Sequence, residues 1–377
     1  MQVIFENLLN INLPMVGMWI IGALLIYLAI KKDMEPTLLL PMGFGAILVN
    51  LPLSGAVTQV VDGVREIGVI DVLFNAGIAN ELFPLLLFIG IGAMIDFTPL
   101  LSNPKMLFFG AAAQFGIFFT FSMAVLFGFE LKDAASIGII GTADGPTSIF
   151  MANFLQSNYL GAIIVAAYSY MALVPIIQPP VIKLFVPKKQ RLIRMQYAAH
   201  PVSRTTKVLF PILITILAGL FAPKSVALVG FLMFGNLIRE CGVLNMLSET
   251  AQKELANLIT ILLGITVASK MRAESFLNTE TLFIMALGLV AFVFDTIGGV
   301  LFARFINLFS KEKINPMIGA AGISAFPMSA RVIHKMGQKE DHQNFLLMHA
   351  VGANVAGQIS SVLAGGILLA LLLNYMA

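Results

Sequence analysis

Long apolar runs occupy most of this sequence, and they restrict its fold more than any other feature does. Each run is long enough, or nearly so, to cross a bilayer as a helix; they cover residues 15–31, 37–53, 82–97, 106–129, 159–186, 208–222, 225–238, 255–269, 281–305 and 345–374. Charged residues make up only 11% of the chain, against about 25% in a soluble domain. The sequence therefore predicts an all-α polytopic membrane protein.

Two further apolar segments, residues 134–154 and 314–333, are interrupted by Gly, Pro, Ser and Asn. Glycine and proline break a regular helix. Irregular backbone at membrane depth is tolerated only where protein or a water-filled cavity covers it. We therefore interpret both segments as broken or re-entrant hairpins.

The order of these pieces occurs twice, with five spans and one broken segment in each half. GFGAILVNL (43–51) corresponds to GFLMFGNLI (230–238), and GTADGPTSIF (141–150) corresponds to GAAGISAFPMSAR (319–331). We predict an N-terminal interfacial segment (1–14), a first membrane repeat (15–186), a basic cytoplasmic linker (187–207) and a second membrane repeat (208–377). Because five spans is an odd number, the second repeat must be inverted relative to the first.

The distribution of positive charge supports this inversion. Most basic loop residues fall on one side of the arrangement; they are Lys31, Lys32, Lys105, the 187–207 run, Arg239, Arg304, Lys311 and Lys313. An excess of Lys and Arg marks cytoplasmic loops, and only Lys270 and Arg272 fall on the other side. The first broken segment would then enter from outside and the second from the cytoplasm. Inverted repeats of this kind bind ions near the midplane, where the broken helices meet.

The first broken segment carries an aspartate, Asp144, next to glycine and proline. An ionised aspartate near the bilayer centre costs roughly 2.5–3.5 kcal/mol, so it normally faces a cavity and has a partner. Hard cations prefer oxygen ligands, and the sequence offers Thr142, Thr147, Ser148, Asn315, Ser324, Ser329, Tyr170 and Asn354. Asp144 is therefore either the centre of a monovalent-cation or proton site, or a capping residue that holds a tight turn.

Four other polar residues each have two interpretations. Arg331 either binds an anion that enters from the cytoplasm or anchors the chain at the membrane surface. Tyr170 either handles a proton or only satisfies its buried hydroxyl. Asn354 either binds an ion or joins two helices. Asp295, a second intramembrane carboxylate, either pairs with Gln114 or forms another ion site.

Several classes of function are excluded by the motifs that the sequence lacks. It contains no phosphate-binding loop, dinucleotide fingerprint, HExxH or CxxC motif, and its single cysteine, Cys241, cannot build a cysteine metal cluster. The net charge of +3 is spread over short loops and indicates no nucleic-acid partner.

Four stretches together resemble one family: GTADGPTSIF, AAYSYMALVPIIQPP (166–180), NPMIGAAGISAFPMSARV (315–332) and NFLLMHAVGANVAG (344–357). Over nearly its whole length the sequence is similar to the β subunit of the sodium-pumping, biotin-dependent decarboxylases of oxaloacetate, methylmalonyl-CoA and glutaconyl-CoA. The resemblance implies a membrane subunit that receives carboxybiotin, decarboxylates it with consumption of a proton, and exports sodium.

The resemblance also implies roles for individual residues. The expected catalytic residues are Asp144, Tyr170 and Arg331. The expected sodium-binding residues are Asp144, Asn315, Gly319, Ser324 and Asn354, with Asp144 and Asn354 as the central ligands. The intramembrane polar residues themselves, apart from the resemblance, add four secondary candidates for the ion site: Asp295, Thr142, Thr147 and Ser148.

The usual setting of a biotinyl lysine is absent from the sequence, so biotin is expected on another chain. The resemblance implies biotin-carrier and carboxyltransferase subunits and a small membrane-anchor subunit as partners, in an oligomeric complex of a bacterial or archaeal cytoplasmic membrane. The repeats alone equally allow a sodium-coupled secondary carrier of organic acids. A purely structural anchor is disfavoured by the intramembrane carboxylates.

Overall fold

The computed structural model describes residues 8–32, 34–61, 63–196 and 201–376. Half of the predicted interfacial segment 1–14, residues 1–7, lies outside the described residues. In the other half, Leu8 and Leu9 are exposed, and the first long helix begins at Leu13.

The first half of the chain is helical apart from one short hairpin. It begins with α1 (Leu13–Lys32) and α2 (Pro36–Val49), followed by the antiparallel strands β1 (Gln59–Val61) and β2 (Val64–Glu66). Next come α3 (Val69–Gly77), α4 (Leu82–Met94), α5 (Thr98–Ser102), α6 (Met106–Ala113) and α7 (Phe115–Leu126). The first broken segment consists of α8 (Leu131–Gly138), a 3₁₀ turn (Ile139–Thr142) and α9 (Gly145–Phe154), and α10 (Leu160–Phe185) closes this half.

The second half follows a similar order. After α11 (Lys188–Arg191) come α12 (Arg204–Phe221), a 3₁₀ turn (Pro223–Ser225) and α13 (Val226–Glu240). The next helix is assembled from α14 (Asn245–Thr250), a π turn (Ala251–Leu255), α15 (Ala256–Val267) and a 3₁₀ turn (Ala268–Lys270). Then come α16 (Ala273–Phe276) and α17 (Thr279–Phe309). The second broken segment consists of a 3₁₀ turn (Pro316–Gly322), irregular residues 323–327 and α18 (Met328–Glu340), and α19 (Leu347–Met376) ends the described chain.

The all-α membrane architecture predicted from the sequence is confirmed. The described part of the chain contains seven helices that are long and apolar enough to span a membrane, or eight if the bent pair α3 and α4 is one span. Besides the bent pair, the helices at two predicted spans are short: α2, at 37–53, has 14 residues, and α13, at 225–238, has 15. At 1.5 Å per residue, such helices reach only about 21–23 Å, less than the hydrocarbon core.

The packing between the two halves is reciprocal. Helix α4 packs on α13, while α15, the counterpart of α4, packs on α2, the counterpart of α13. In the same way α10 packs on α17, and α19, the counterpart of α10, packs on α6. Two repeats with the same internal plan would give this pattern. The two repeats and the inversion of the second one remain predictions.

Several basic residues lie at helix ends, as the charge pattern predicted for a membrane surface. Arg239, near the end of α13, donates to the carbonyl of Met94 at the end of α4 (2.7 Å), and Arg304 of α17 donates to the carbonyl of Phe185 at the end of α10 (3.0 Å). Cations stabilise the exposed carbonyls of helix C-termini. Arg272, which the charge pattern put on the opposite side, pairs there with Asp71 (2.7 Å).

The linker is attached to the end of α18. Arg191 and Arg194 form ion pairs with Glu340 (2.7 Å) and Asp341 (2.5 Å), respectively. The hydrogen bond from Arg194 holds the pKa of the half-buried Asp341 carboxyl below its usual value. These contacts fix residues 187–196 of the predicted linker 187–207 beside the second broken segment, and residues 197–200 lie outside the described chain.

Candidate ion site at the junction of the broken segments

The first broken segment turns at Ala143 and starts a new helix at Gly145. Ala143 has a left-handed φ of 51°, which costs energy for alanine, so surrounding contacts must hold the turn. Asp144 caps α9, and Pro146 suits the first turn of that helix because it needs no partner for an amide. Oδ2 of Asp144 accepts a hydrogen bond from Oγ1 of Thr147 (2.7 Å), and Oδ1 faces the Thr147 amide (3.4 Å). Asp144 is therefore a capping residue, one of its two predicted interpretations.

Ser324 of the second broken segment joins the two breaks. Its amide donates to the carbonyl of Thr142 (3.1 Å), and its Oγ donates to Oδ2 of Asp144 (2.8 Å). Asp144 is 4% exposed and Ser324 is 3% exposed. The structure thus brings together the two irregular segments and two of the predicted ion-binding residues, in the interior of the helix bundle.

Helix α19 covers this junction with a row of polar side chains. Gln358 donates to Oδ2 of Asp144 (3.1 Å), and Ser361 donates to Oγ of Ser324 (3.0 Å). Asn354 donates to the carbonyl of Ile323 in the second broken segment (2.7 Å). Gln358 and Ser361 were not predicted. The signal that could have revealed them is their spacing, because residues four and seven positions after Asn354 lie on the same helix face.

This junction is a set of oxygen atoms around one carboxylate. The hydroxyls of Thr147, Ser324 and Ser361 can turn their lone pairs toward a cation. Oδ1 of Asn354 is buried and has no hydrogen-bond partner within the described residues. The described residues hold no group of three His, Cys, Asp or Glu side chains suited to a metal ion. A single carboxylate among neutral oxygens suits a monovalent cation.

Other predicted residues lie in the two segments but bind elsewhere. Oγ1 of Thr142 donates to the carbonyl of Ile139 (2.8 Å), and Oγ of Ser148 donates to the backbone carbonyl of Asp144 (2.8 Å). Both hydroxyls therefore satisfy backbone carbonyls of the broken segment. They stabilise the turn that presents Asp144.

Asn315 and Gly319 support the second broken segment. The side-chain amide of Asn315 donates to the linker carbonyls of Arg191 (2.8 Å) and Ile193 (2.9 Å), while its oxygen accepts from the amide of Met317 (3.1 Å). Gly319 lies against α17, where an added Cβ would be 2.0 Å from the carbonyl oxygen of Gly299. The contacts of these two residues are with the linker and with α17, rather than with the Asp144 carboxylate.

Two tyrosines of α10 face different surroundings. The hydroxyl of Tyr170, the predicted residue, donates to the carbonyl of Met285 in α17. The ring of Tyr168 lies against Gly145, where an added Cβ would be 2.2 Å from Cζ of the tyrosine. The Tyr168 hydroxyl is buried and has no hydrogen-bond partner within the described residues. Tyr168 is thus the tyrosine that touches the Asp144 turn, and the sequence did not single it out.

Arg331 lines a cavity of about 370 Å³ on the side predicted to be cytoplasmic. The cavity lies between α10 and α18, and its charged lining residues are Lys183, Arg331, Lys335, Lys339, Glu35 and Glu340. Glu340 already pairs with Arg191, so positive charge is in excess. Arg331 is exposed and free to turn toward an anion in the cavity.

Polar side chains join α10 to the second broken segment beside this cavity. Gln178 of α10 is fully buried and donates to the carbonyl of Ala320 (2.7 Å), and its oxygen accepts from Ser329 (3.0 Å). Ser329 follows Met328, which lines the cavity. Gln178 was not predicted, although a polar residue within an apolar span was a visible signal.

Asp295 has no hydrogen bond to this network within the described residues. Gln114 donates to the carbonyls of Gly110 (2.9 Å) and Gly322 (3.3 Å), which leaves its side-chain amide engaged with the backbone rather than with Asp295. Of the two interpretations of Asp295, the pairing with Gln114 is therefore not observed.

Comparison with known proteins gives a consistent match over the whole chain. The family described as "Na+-transporting oxaloacetate decarboxylase beta subunit" matches residues 14–372. The methylmalonyl-CoA decarboxylase subunit beta of Propionigenium modestum is 49% identical over 96% of each chain. The glutaconyl-CoA decarboxylase subunit beta of Acidaminococcus fermentans is 50% identical, over 94% of this chain and 92% of its own. The oxaloacetate decarboxylase beta chain of Klebsiella pneumoniae is 43% identical over 96% of each chain.

Proposed function

The chain belongs to the family of Na⁺-transporting oxaloacetate decarboxylase β subunits, and on that premise we propose that it binds sodium at Asp144 and receives carboxybiotin in the cavity of Arg331. It is a multi-pass membrane subunit of a sodium-pumping, biotin-dependent decarboxylase, and it belongs to the cytoplasmic membrane. It carries the decarboxylation and sodium-translocation function of that complex. The finer assignments to residues are our proposal.

The observation that carries the proposal is the position of Asp144. Its carboxylate lies where two broken segments and α19 meet, and hydrogen bonds reach its Oδ2 from Thr147, Ser324 and Gln358. Sodium would replace these donors as the partner of the carboxylate, since hydroxyl oxygens can also act as ligands. Asn354 offers a buried side-chain oxygen next to the junction.

The cavity of Arg331 suits the carboxylated head of biotin. Its volume of about 370 Å³ falls in the range of small-molecule sites. A guanidinium binds a carboxylate through two parallel hydrogen bonds. Decarboxylation breaks the bond between the ureido nitrogen and the carboxyl carbon, releases CO₂ and leaves a nitrogen that takes up a proton. Arg331 would orient the carboxylate before that bond breaks.

The second broken segment connects the two sites. Ser324 contacts Asp144, and Arg331 lines the cavity. Arg331 comes seven positions after Ser324, so the chain can separate their Cα atoms by at most about 25 Å. Movement of this one segment would therefore change both sites, which gives a physical route for coupling decarboxylation to sodium release.

The partners in this proposal are a biotin carrier, a carboxyltransferase and a small membrane-anchor subunit. The family is one of β subunits of multi-subunit decarboxylases. A sodium-coupled carrier of organic acids, the alternative from the sequence, would purify without biotinylated and carboxyltransferase chains. Affinity purification of the tagged chain from its host distinguishes the two.

The test uses the purified complex in sealed vesicles, with uptake of radioactive sodium and release of CO₂ from carboxybiotin measured together. In Asp144→Asn we expect both to be lost, because no charge remains to bind the ion. The matched control is Asp133→Asn. Asp133 is also buried (2% exposed) and caps a turn through Ser157 (2.6 Å) and the amide of Asn158 (2.9 Å). Sodium-stimulated turnover close to wild type in the Asp144 variant would refute the proposal.

A further inference from the structure

Asp295 lies in the middle of α17 with no exposed surface. No side chain within the described residues hydrogen-bonds either of its carboxylate oxygens. The backbone of Gly116, in the first turn of α7, lies against the carboxyl, and a Cβ added to Gly116 would lie 2.6 Å from Oδ1. The next amide, that of Ile117, donates to the carbonyl of Gln114 (3.2 Å). A buried acid without a hydrogen-bond partner costs free energy of folding, and such residues inside membrane spans usually have a function.

The other oxygen of Asp295 lies against the first broken segment. A Cβ added to Gly141 would be 2.7 Å from Oδ2. Gly141 lies within the 3₁₀ turn Ile139–Thr142, three residues before Asp144. The absence of side chains at Gly116 and Gly141 leaves the space that the carboxyl fills. The turn that presents Asp144 is therefore held between two buried carboxyl groups.

The surroundings of Asp295 suit a proton better than a metal ion. A hard cation needs several oxygen ligands, whereas the nearest polar backbone group beside this carboxyl is the amide of Gly116. Amides at a helix N-terminus stabilise the ionised form, and burial stabilises the neutral form. A carboxyl under both effects responds to a change in the charge near it, because that change adds to one effect or to the other.

Ionisable groups near Asp295 are few. The elements α6 and α7 and the turns Ile139–Thr142 and Pro316–Gly322 contain none. In α8, Lys132 pairs with Glu130 (3.2 Å) and Asp133 bonds to Ser157. In α10, Tyr170 contacts α17 at Gly288, Tyr168 lies against Gly145, and Lys183 lines the cytoplasmic cavity. The nearest charge that changes in the proposed cycle is therefore that at Asp144.

We propose that Asp295 is a proton-binding carboxyl that is protonated when the Asp144 site lacks sodium and deprotonated when sodium binds there. Protonation forms one O–H bond on the carboxylate with a proton from water, and deprotonation returns that proton to water. A sodium ion at Asp144 and a proton on Asp295 are both positive charges, so binding of one disfavours binding of the other. The turn Ile139–Thr142, which contacts Asp295 and precedes Asp144, connects the two sites. The coupling rests on the proposed sodium site, but protonation of Asp295 does not.

Infrared difference spectroscopy of the purified complex tests this proposal, with sodium added at fixed pH. In the wild type, we expect sodium to remove the carbonyl band of a protonated carboxylic acid. The band should be absent from Asp295→Asn. It should be present but shifted in Asp295→Glu, which keeps a carboxylic acid at this position and so provides a test even if Asp295→Asn does not fold. Asp133→Asn should behave like the wild type.

The Asp144→Asn variant separates the two proposals. Its absolute infrared spectrum should keep the band, while its sodium difference spectrum should no longer show it. If the sodium-sensitive band is absent from the wild type, or persists in Asp295→Asn, the Asp295 proposal is overturned. If sodium still removes the Asp295 band in Asp144→Asn, the proton site stands and the sodium site at Asp144 is wrong.

Discussion

The two tyrosines of α10 show how one helical position changes the role of a side chain. The hydroxyl of Tyr170 donates a hydrogen bond to the carbonyl of Met285 in α17. Tyr168, two residues earlier, lies against Gly145 in the turn of Asp144. The geometry therefore favours Tyr170 as a residue that positions α10 on α17.

We expect Tyr170→Phe to lower the free energy of unfolding by about 1 kcal/mol, because one buried carbonyl loses its donor. The ratio of sodium transported to carboxybiotin decarboxylated should remain that of the wild type. Thermal stability of the complex and transport in vesicles measure the two effects. A changed ratio or pH optimum, with normal stability, would instead support the proton-handling role predicted from the sequence.

Arg331→Lys tests whether decarboxylation needs the two parallel N–H donors of the guanidinium. Lysine keeps the charge in the cavity but cannot make two parallel bonds to a carboxylate. We expect decarboxylation of free carboxybiotin to fall by about tenfold or more, consistent with losing one charged hydrogen bond, with sodium affinity unchanged. The control is Arg65→Lys, on the exposed strand β2. Normal decarboxylation by the Arg331 variant would leave only the anchoring role.

At the level of elements, the second broken segment depends on close contact with α17. Gly319 and Gly299 touch through their backbones, so a Cβ on either one would collide with the other's carbonyl at 2.0 Å. Gly230, in α13, offers a matched control, since the nearest atom to its added Cβ is 3.7 Å away.

We expect Gly319→Ala to lower stability by about 1–3 kcal/mol, because the 3₁₀ turn must move away from α17. Gly230→Ala should be neutral or slightly stabilising, since alanine favours a helix. The temperature at which each complex loses its monodisperse elution profile measures the difference. Equal temperatures for the two variants would contradict the close packing described here.

Hydropathy predicted the long helices, because their side chains are apolar along nearly their whole length. The long helices, such as α10 and α17, begin and end within a few residues of the predicted spans 159–186 and 281–305. The hairpin of β1 and β2 was not predicted, because it is short and β2 is exposed. Periodicity along α19 would have added Gln358, whereas the contact of Tyr168 with Gly145 depends on tertiary packing that no local pattern encodes.

For the whole molecule, the inverted orientation of the two repeats is the main untested prediction. Lys105 and Ser275 follow corresponding helices, α4 in the first half and α15 in the second, and both are exposed. In repeats of opposite orientation these two positions lie on opposite sides of the membrane.

We expect a membrane-impermeant thiol reagent to label Ser275→Cys in intact cells and to label Lys105→Cys only after the membrane is opened. Both substitutions are made in a Cys241→Ser background, because Cys241 is the only native cysteine. Labelling of both positions from the same side would contradict the inversion, and labelling from the reversed sides would contradict the assignment of the cytoplasmic face.

Equilibrium binding of sodium to the purified complex tests the central claim most directly, because it needs neither decarboxylation nor a membrane gradient. We expect Asp144→Asn to weaken sodium binding by at least about tenfold, or 1.4 kcal/mol, while Asp133→Asn binds sodium like the wild type. Both variants should elute as the intact complex. Unchanged sodium affinity in an intact Asp144→Asn complex would show that the carboxylate at the junction of the broken segments does not bind the ion.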